Sequence, residues 1–154
     1  MAHWKKRETV FEEYGMRLVM PGNWQLKVAE AGRRWIYRSV DHREQITIGM
    51  LDLAGERDRE SLKQRAAQRH RRAVELGLGR EPEFSLSEPA ATECAGVEAV
   101  WYDGEANGGT HYFHAMLLFP PSGGWSVFYE AFRLERGAAE SKISGILDSI
   151  VLRD

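Results

Sequence analysis

The sequence predicts a mixed α/β fold in which one antiparallel sheet is covered by helices on both faces. Three observations carry that expectation. First, Gly96 to Phe132 divides into three consecutive strands, Val97–Tyr102, His111–Phe119 and Trp125–Phe132. Glycine-rich turns separate them, Asp103-Gly104-Glu105-Ala106-Asn107-Gly108-Gly109 and Pro120-Pro121-Ser122-Gly123-Gly124. Second, side chains alternate across a strand, and both halves of these strands are apolar. Phe113, Ala115, Leu117 and Phe119 oppose Tyr112, His114, Met116 and Leu118, while Trp125, Val127, Tyr129 and Ala131 oppose Ser126, Phe128, Glu130 and Phe132. A half-exposed antiparallel sheet would not tolerate this, so something must cover each face. Third, two stretches with helical patterning stand ready as the covers.

Taken in order, the chain opens with a polar stretch over residues 1–8 that is expected to fray, and residues 9–154 make one domain. Thr9–Tyr14 and Met16–Met20 are strand candidates, the second with Met16, Leu18 and Met20 on one face. Pro21-Gly22-Asn23 makes a turn, Trp24 opens an extended piece through Gln25–Ala29, and Glu30-Ala31-Gly32 turns again. Arg34–Val40 and Gln45–Leu51 form a hairpin around the polar tip Asp41-His42-Arg43-Glu44. Pairing Val40 with Gln45 sets Tyr37 opposite Ile48 and Trp35 opposite Met50. The other face carries Arg34, Ile36, Arg38 and Thr47, so the hairpin is one-sided and belongs toward a sheet edge.

Asp52-Leu53-Ala54-Gly55 breaks the pattern. Arg57 to Leu76 is a long helix of good helix formers, with Asp58 as N-cap and Gly77 as the stop. Leu62, Ala66, Ala73 and Val74 make a thin apolar stripe with His70 on it. Phe84–Ser87 and Ala91–Cys94 are short strands interrupted by Pro89, and Gly137 to Ile150 is a terminal helix. Its Ile143, Ile146, Leu147 and Ile150 recur at helical spacing.

The 154 residues carry a formal net charge of −2, which exerts no global pull on nucleic acid or membrane. With Cys94 as the single cysteine, no internal disulfide can form. Neither a secretory signal nor a membrane-spanning stretch is visible in the chain as it stands, and the expected location is the cytoplasm.

The sequence holds no Gly-x-x-x-x-Gly-Lys loop, no Gly-x-Gly-x-x-Gly and no Gly-x-Ser-x-Gly elbow. Its glycine clusters belong to hairpin turns, whereas a phosphate cradle needs a glycine loop leading into a helix. His111 and His114 point to opposite faces of a strand and cannot share an ion there. His42 lies in the hairpin tip, His3 near the terminus, and His70 among packed residues. Cys94 is expected as a small buried thiol, with no histidine placed beside it as a base. Trp101-Tyr102-Asp103 is expected to end its strand at a turn. No catalytic, cofactor-binding or metal-binding residue is assigned, and no cofactor is expected.

Two surfaces and one interior region remain. Arg65, Arg69 and Arg72 follow i, i+4, i+7 spacing and form one strip, either a docking surface or a solvated, partly paired helix face. Asp41, His42 and Arg43 present a charged tip. Trp101, Tyr112, His114 and Tyr129 put more aromatic area between sheet and helix than a minimal core needs, and could line a pocket.

In this order of elements the chain resembles the Mog1/PsbP-like superfamily. The carrying residues are the strand Met16–Trp24 running into Pro-x-x-Trp, the hairpin with the long helix, the three-strand meander, and the closing Ile146-Leu147-Asp148-Ser149-Ile150. The resemblance implies an α/β/α sandwich and a non-catalytic module that binds other proteins. Members include a partner of the Ran GTPase, photosystem II subunits and chaperone-like proteins associated with bacterial secretion. No partner-binding residue of the superfamily can be matched onto a position here. The expectation is therefore a cytoplasmic protein-binding or chaperone-like module, with another protein as partner rather than membrane or nucleic acid. The alternative is a small-molecule binder or hydrolase with its pocket between sheet and helix. Homodimerisation through an exposed hairpin strand is compatible with either.

Overall fold

A computed structural model describes residues 7–53, 58–79 and 83–153. Its strands are β1 (Glu8–Glu13), β2 (Met16–Pro21), β3 (Trp24–Glu30), β4 (Arg34–Ser39), β5 (Glu44–Met50), β6 (Ser85–Leu86), β7 (Ala90–Cys94), β8 (Val97–Ala106), β9 (His111–Phe119), β10 (Trp125–Phe132) and β11 (Val151–Leu152). Two α-helices accompany them, α1 (Arg59–Leu78) and α2 (Arg136–Asp148). Every pairing is antiparallel. A three-stranded sheet runs β1-β2-β11, and an eight-stranded sheet runs β3-β4-β5-β10-β9-β8-β6 with β7 also on β8. No helix among the described residues is long and apolar enough to cross a membrane.

The meander forms the middle of the large sheet, with Val127 opposite Met116 and Leu117 opposite Val100. Its first strand is longer than expected. β8 continues through Asp103 and Gly104 to Ala106, so Trp101 lies in mid-strand rather than at a turn. Gly104 is needed there for space. A Cβ on it would stand 2.2 Å from the Ser85 carbonyl oxygen and 2.5 Å from Phe113 Cε2. The turn is made by Asn107–Gly109 alone, a short 3-10 segment with Gly108 at φ 66°.

The hairpin of β4 and β5 forms in a register two residues from the expected one, Trp35 opposite Ile48 and Tyr37 opposite Ile46. A slip of two keeps every side chain on its face, so the buried set survives. The cause is the tip: the Glu44 N–H donates to Ser39 Oγ at 3.0 Å, which closes the loop over residues 40–43. Nor is the hairpin an edge. β3 folds back after Gly32 onto β4, so both hairpin strands are flanked and neither is open for pairing with another copy.

Helix limits also shift. Asp58 caps α1, its carboxylate accepting from the Glu60 N–H at 3.2 Å and the Ser61 hydroxyl at 2.9 Å. The expected start at Arg57 lies outside the described residues. Gly77 does not stop the helix, which runs on to Leu78 and a cap at Gly79. An exposed helical glycine costs only about 1 kcal/mol against alanine, too little to break a helix anchored by the buried Leu78 beyond it. α2 starts at Arg136 because Glu135 accepts from the N–H groups of Gly137 at 2.9 Å and Ala138 at 3.2 Å. It ends at Asp148, and Val151–Leu152 pairs with Arg17 and Met16 instead of extending the helix. Glu8, expected to fray, belongs to β1; residues 1–6 lie outside the described range.

β9 divides its side chains between separate apolar clusters. Tyr112, Met116 and Leu118 join Ile143 and Ile146 of α2, Phe11 and Leu18 of the small sheet, and Trp35, Ile48 and Tyr129. Ala115, Leu117 and Phe119 join Ala66 and Ala67 of α1. The α1 stripe is thin, as its sequence implied: Ala66 is buried as expected, Ala67 is buried beside it, and Ala73 is exposed. Phe11 meets Trp35 edge-on with ring centroids 4.9 Å apart, and Trp35 stacks on Trp125 at 6.2 Å. Such pairs stabilise by about 0.5–1.5 kcal/mol beyond their burial, which fixes the small sheet on the large one.

Candidate functional site

Three of the four aromatic-region residues come together. Trp101, Tyr112 and His114 line a cleft of about 300 Å³ whose other wall is Glu140, Ile143, Ser144 and Leu147 of α2. Strand pairing places them, because Asp103 sits opposite His114 and Glu105 opposite Tyr112 on the same side of the sheet. Trp101 stacks on His114, with centroids 5.4 Å apart and planes 10° from parallel. His114 Nδ1 is buried with no hydrogen-bond partner among the described residues. Burial lowers the His114 pKa, against the opposing pull of Asp103 and Glu140, so the ring is neutral at pH 7. At the mouth, Arg136 binds Glu140 at 2.7 Å and Glu105 at 2.9 Å, and its guanidinium lies 5.2 Å from the Tyr112 ring centre. A neutral stacked imidazole beneath a carboxylate–guanidinium rim can bind a planar or polar group.

Tyr129 stands apart from that cleft. Its hydroxyl donates to Glu44 Oε1 at 2.6 Å, while Lys142 of α2 donates to Glu44 Oε2 at 2.9 Å. Glu44 is 2% exposed, a buried carboxylate with both oxygens engaged. Burial first, then this hydrogen bond, pushes the Tyr129 pKa up.

The hairpin tip is built on that anchor. Ser39 Oγ donates to Asp41 at 2.7 Å, and the Arg43 N–H donates to the same oxygen at 3.0 Å. These bonds hold the Asp41 carboxyl below the usual range. His42 takes φ 61°, in the left-handed region, and it and Arg43 are exposed. Val40 beside them is 56% exposed.

Arg65, Arg69 and Arg72 all lie on the exposed side of α1, and Arg72 reaches Glu75 at 3.6 Å. Their neighbour Arg71 turns inward, binding Glu75 at 2.6 Å and the Leu86 and Ser87 carbonyls at 3.2 Å.

His70, His111 and Cys94 lie outside the Trp101–His114 cleft. His70 Nδ1 bonds the Tyr102 hydroxyl, and burial lowers the His70 pKa to about 4. His111 Nε2 bonds Glu130 at 3.2 Å on the opposite side of β9 from His114. Cys94 is half-buried, with burial raising its thiol pKa, and Leu147 O lies 4.0 Å from its sulfur. His3 lies outside the described residues, among which no cluster of His, Cys, Asp or Glu could hold a metal ion.

Sequence reasoning missed Asp103, Glu140 and Ser144 in the cleft. Strand alternation puts residue i+2 beside Trp101 and so signals Asp103, but Gly104 reads as a turn and hides it. Glu140 and Ser144 follow i, i+4 spacing on α2 with no apolar pattern to single them out.

The chain's sequence matches no protein-family model and no curated protein. Its fold matches solved structures over nearly its whole length. Cyanobacterial PsbP (CyanoP) from Synechocystis superimposes with a TM-score of 0.71 at 12% identity, covering 97% of this chain and 95% of that one. LpqN of Mycobacterium tuberculosis, involved in cell envelope biogenesis, gives 0.60 at 17% identity, covering 96% and 91%. The Ran-binding protein Mog1p of Saccharomyces cerevisiae gives 0.58 at 10% identity, covering 97% of each.

Proposed function

The chain has the Mog1/PsbP-like fold, and we propose that it serves as a non-catalytic, cytoplasmic protein-binding or chaperone-like module. Mog1p, which shares the fold, is a Ran-binding protein, and that supports reading the partner here as a protein. We take α1 and α2 as covers on opposite sides of the large sheet, the arrangement that leaves loops and edges as the working surfaces.

The observation that carries the reading is the pinned hairpin tip. Glu44, anchored to Tyr129 and Lys142, and Asp41, bonded to Ser39 and Arg43, hold Val40, His42 and Arg43 outward on a pre-ordered loop. A loop already fixed in its bound shape loses less entropy on association, which raises affinity for a given contact area. An exposed valine flanked by charge suits a protein surface better than a phosphate backbone. The formal charge of −2 and the Arg72–Glu75 pairing further favour a protein over nucleic acid.

The test is affinity capture from the native host with the full chain and with a Val40→Asp/Arg43→Glu variant, followed by titration of the purified partner. A saturable partner lost with the tip variant supports the reading. Absence of any saturable partner overturns it.

The Trp101–His114 cleft supports a second reading, a small-molecule binder. About 300 Å³ is the low end for a ligand pocket, and the buried His114 Nδ1 beside it has no hydrogen-bond partner among the described residues. A ligand screen read by chemical shifts at Trp101 and Tyr112 tests it, and silence there disposes of it.

A further inference from the structure

A concavity of about 710 Å³ lies apart from both the aromatic cleft and the hairpin tip. It runs between the first half of α1 and β7, over a floor of Ala67, Ala91 and Val100. The floor is low because the residues are small. Ala91 lies opposite Val100, and α1 meets the sheet at this point through Ala66 and Ala67.

Beside this groove lies an open sheet edge. Among the described residues β7 pairs with β8 alone, so its outward N–H and C=O groups have no strand partner. Other edges carry the devices that discourage strand addition. β3 has a bulge between Leu26 and Val28 and a lysine, Lys27, within it. β1 carries Glu8, Glu12 and Glu13, and β6 is two residues long. β7, Ala-Ala-Thr-Glu-Cys, has no bulge, no proline and a single charge.

The rim indicates the partner's chemistry. Glu98 is already held by Arg59 at 2.7 Å and Lys63 at 3.3 Å, and Lys63 also binds Glu60 at 2.7 Å. The cations on this rim are therefore engaged. Glu93 is exposed and makes no ion pair among the described residues, and Glu88 reaches only Arg71, at 3.6 Å. The unspent charge is negative and flanks both ends of β7. A second copy of this chain would bring its own Glu88 and Glu93 against these, which disfavours self-pairing.

We propose that the groove between α1 and β7 receives an extended segment of another protein, which adds to β7 as a further strand and places lysine or arginine beside Glu93 and Glu88. Backbone hydrogen bonds along the edge supply affinity, and alternate side chains over Ala91 and against Glu93 supply selectivity. This rests on reading the chain as a protein binder and assigns a surface separate from the hairpin tip.

Two fluorescein-labelled peptides test it, Arg-Thr-Val-Thr-Val-Arg and Glu-Thr-Val-Thr-Val-Glu, titrated against the full chain by anisotropy at low salt. The basic peptide is expected to bind about tenfold more tightly, with amide shifts confined to residues 60–68 and 88–100. Glu93→Lys should remove that preference, and Ala91→Trp, on an exposed residue, should fill the groove and abolish binding. Failure of the basic peptide to bind at millimolar concentration, or indifference to Ala91→Trp, overturns the proposal. Shifts at residues 40–43 instead overturn the groove while sparing the protein-binding reading. A wild-type dimer made monomeric by Ala91→Trp would assign the groove to a second copy and also overturn it.

Discussion

The Tyr129 hydroxyl on β10 donates to the Glu44 carboxylate on β5 at 2.6 Å, and Lys142 closes the other oxygen from α2. Three elements distant in sequence thus meet on one buried charge, directly below the hairpin tip. Removing the carboxylate strands Tyr129 without its acceptor and frees Lys142. Glu44→Ala is expected to cost about 2–4 kcal/mol, below the full range for a broken buried pair because Lys142 is partly solvated. Glu44→Gln, which keeps an acceptor for Tyr129, should cost about half as much. Urea denaturation of both variants checks the order.

His70 predicts an acid-sensitive fold. Burial lowers its pKa to about 4, whereas the unfolded chain titrates near 6.5. Between those values the unfolded state binds the extra proton, so stability rises with pH. The contribution is complete above pH 6.5 and is lost as pH falls toward 4, with a ceiling of about 3 kcal/mol. His114, also lowered by burial, acts with the same sign. His70→Gln should flatten the slope of unfolding free energy between pH 7 and 4; an unchanged slope would refute the assignment.

Two glycines should respond to alanine in opposite directions. At Gly104 the new methyl would meet the Ser85 carbonyl and the Phe113 ring, and the backbone oxygen cannot yield. Gly104→Ala is expected to destabilise by about 1–3 kcal/mol, the range for overpacking. At Gly145 in α2 a Cβ would meet nothing within 4 Å. Gly145→Ala should stabilise by about 0.5–1 kcal/mol through helix propensity. Thermal melts of the pair decide both signs.

These sites also show what could be read from residues alone. The meander, both helices and the face on which each β9 side chain lies were legible, because period 2 and period 3.6 depend only on local order. Gly104 reads as a turn because glycine marks both turns and close approaches, and Ser85 stands beside it only after folding. The three-stranded sheet and β11 escaped notice because Val151 and Leu152 have no pattern of their own and pair with β2 from across the chain. Trp101, Tyr112 and His114 share one face of the sheet and line one cleft. Tyr129 shares that face, but its hydroxyl is claimed by Glu44, a partner found only through the hairpin register.

The Trp101–His114 stack gives the last prediction, since burial and two nearby carboxylates pull the histidine in opposite directions. Burial, to which the stacked Trp101 ring contributes, is the largest influence and lowers the pKa; the Asp103 and Glu140 carboxylates raise it by less. Trp101→Ala admits water to the imidazole and should move its pKa up toward 6.5. Asp103→Asn removes a stabilising negative charge and should move it further down. Histidine ring resonances followed through a pH titration of each variant give both directions from one type of measurement. If both substitutions raised the pKa, the carboxylate at 103 would not be acting on His114 through its charge. The cleft could not then be described as a neutral, desolvated ring facing an acidic rim, and the small-molecule reading would lose its chemical basis.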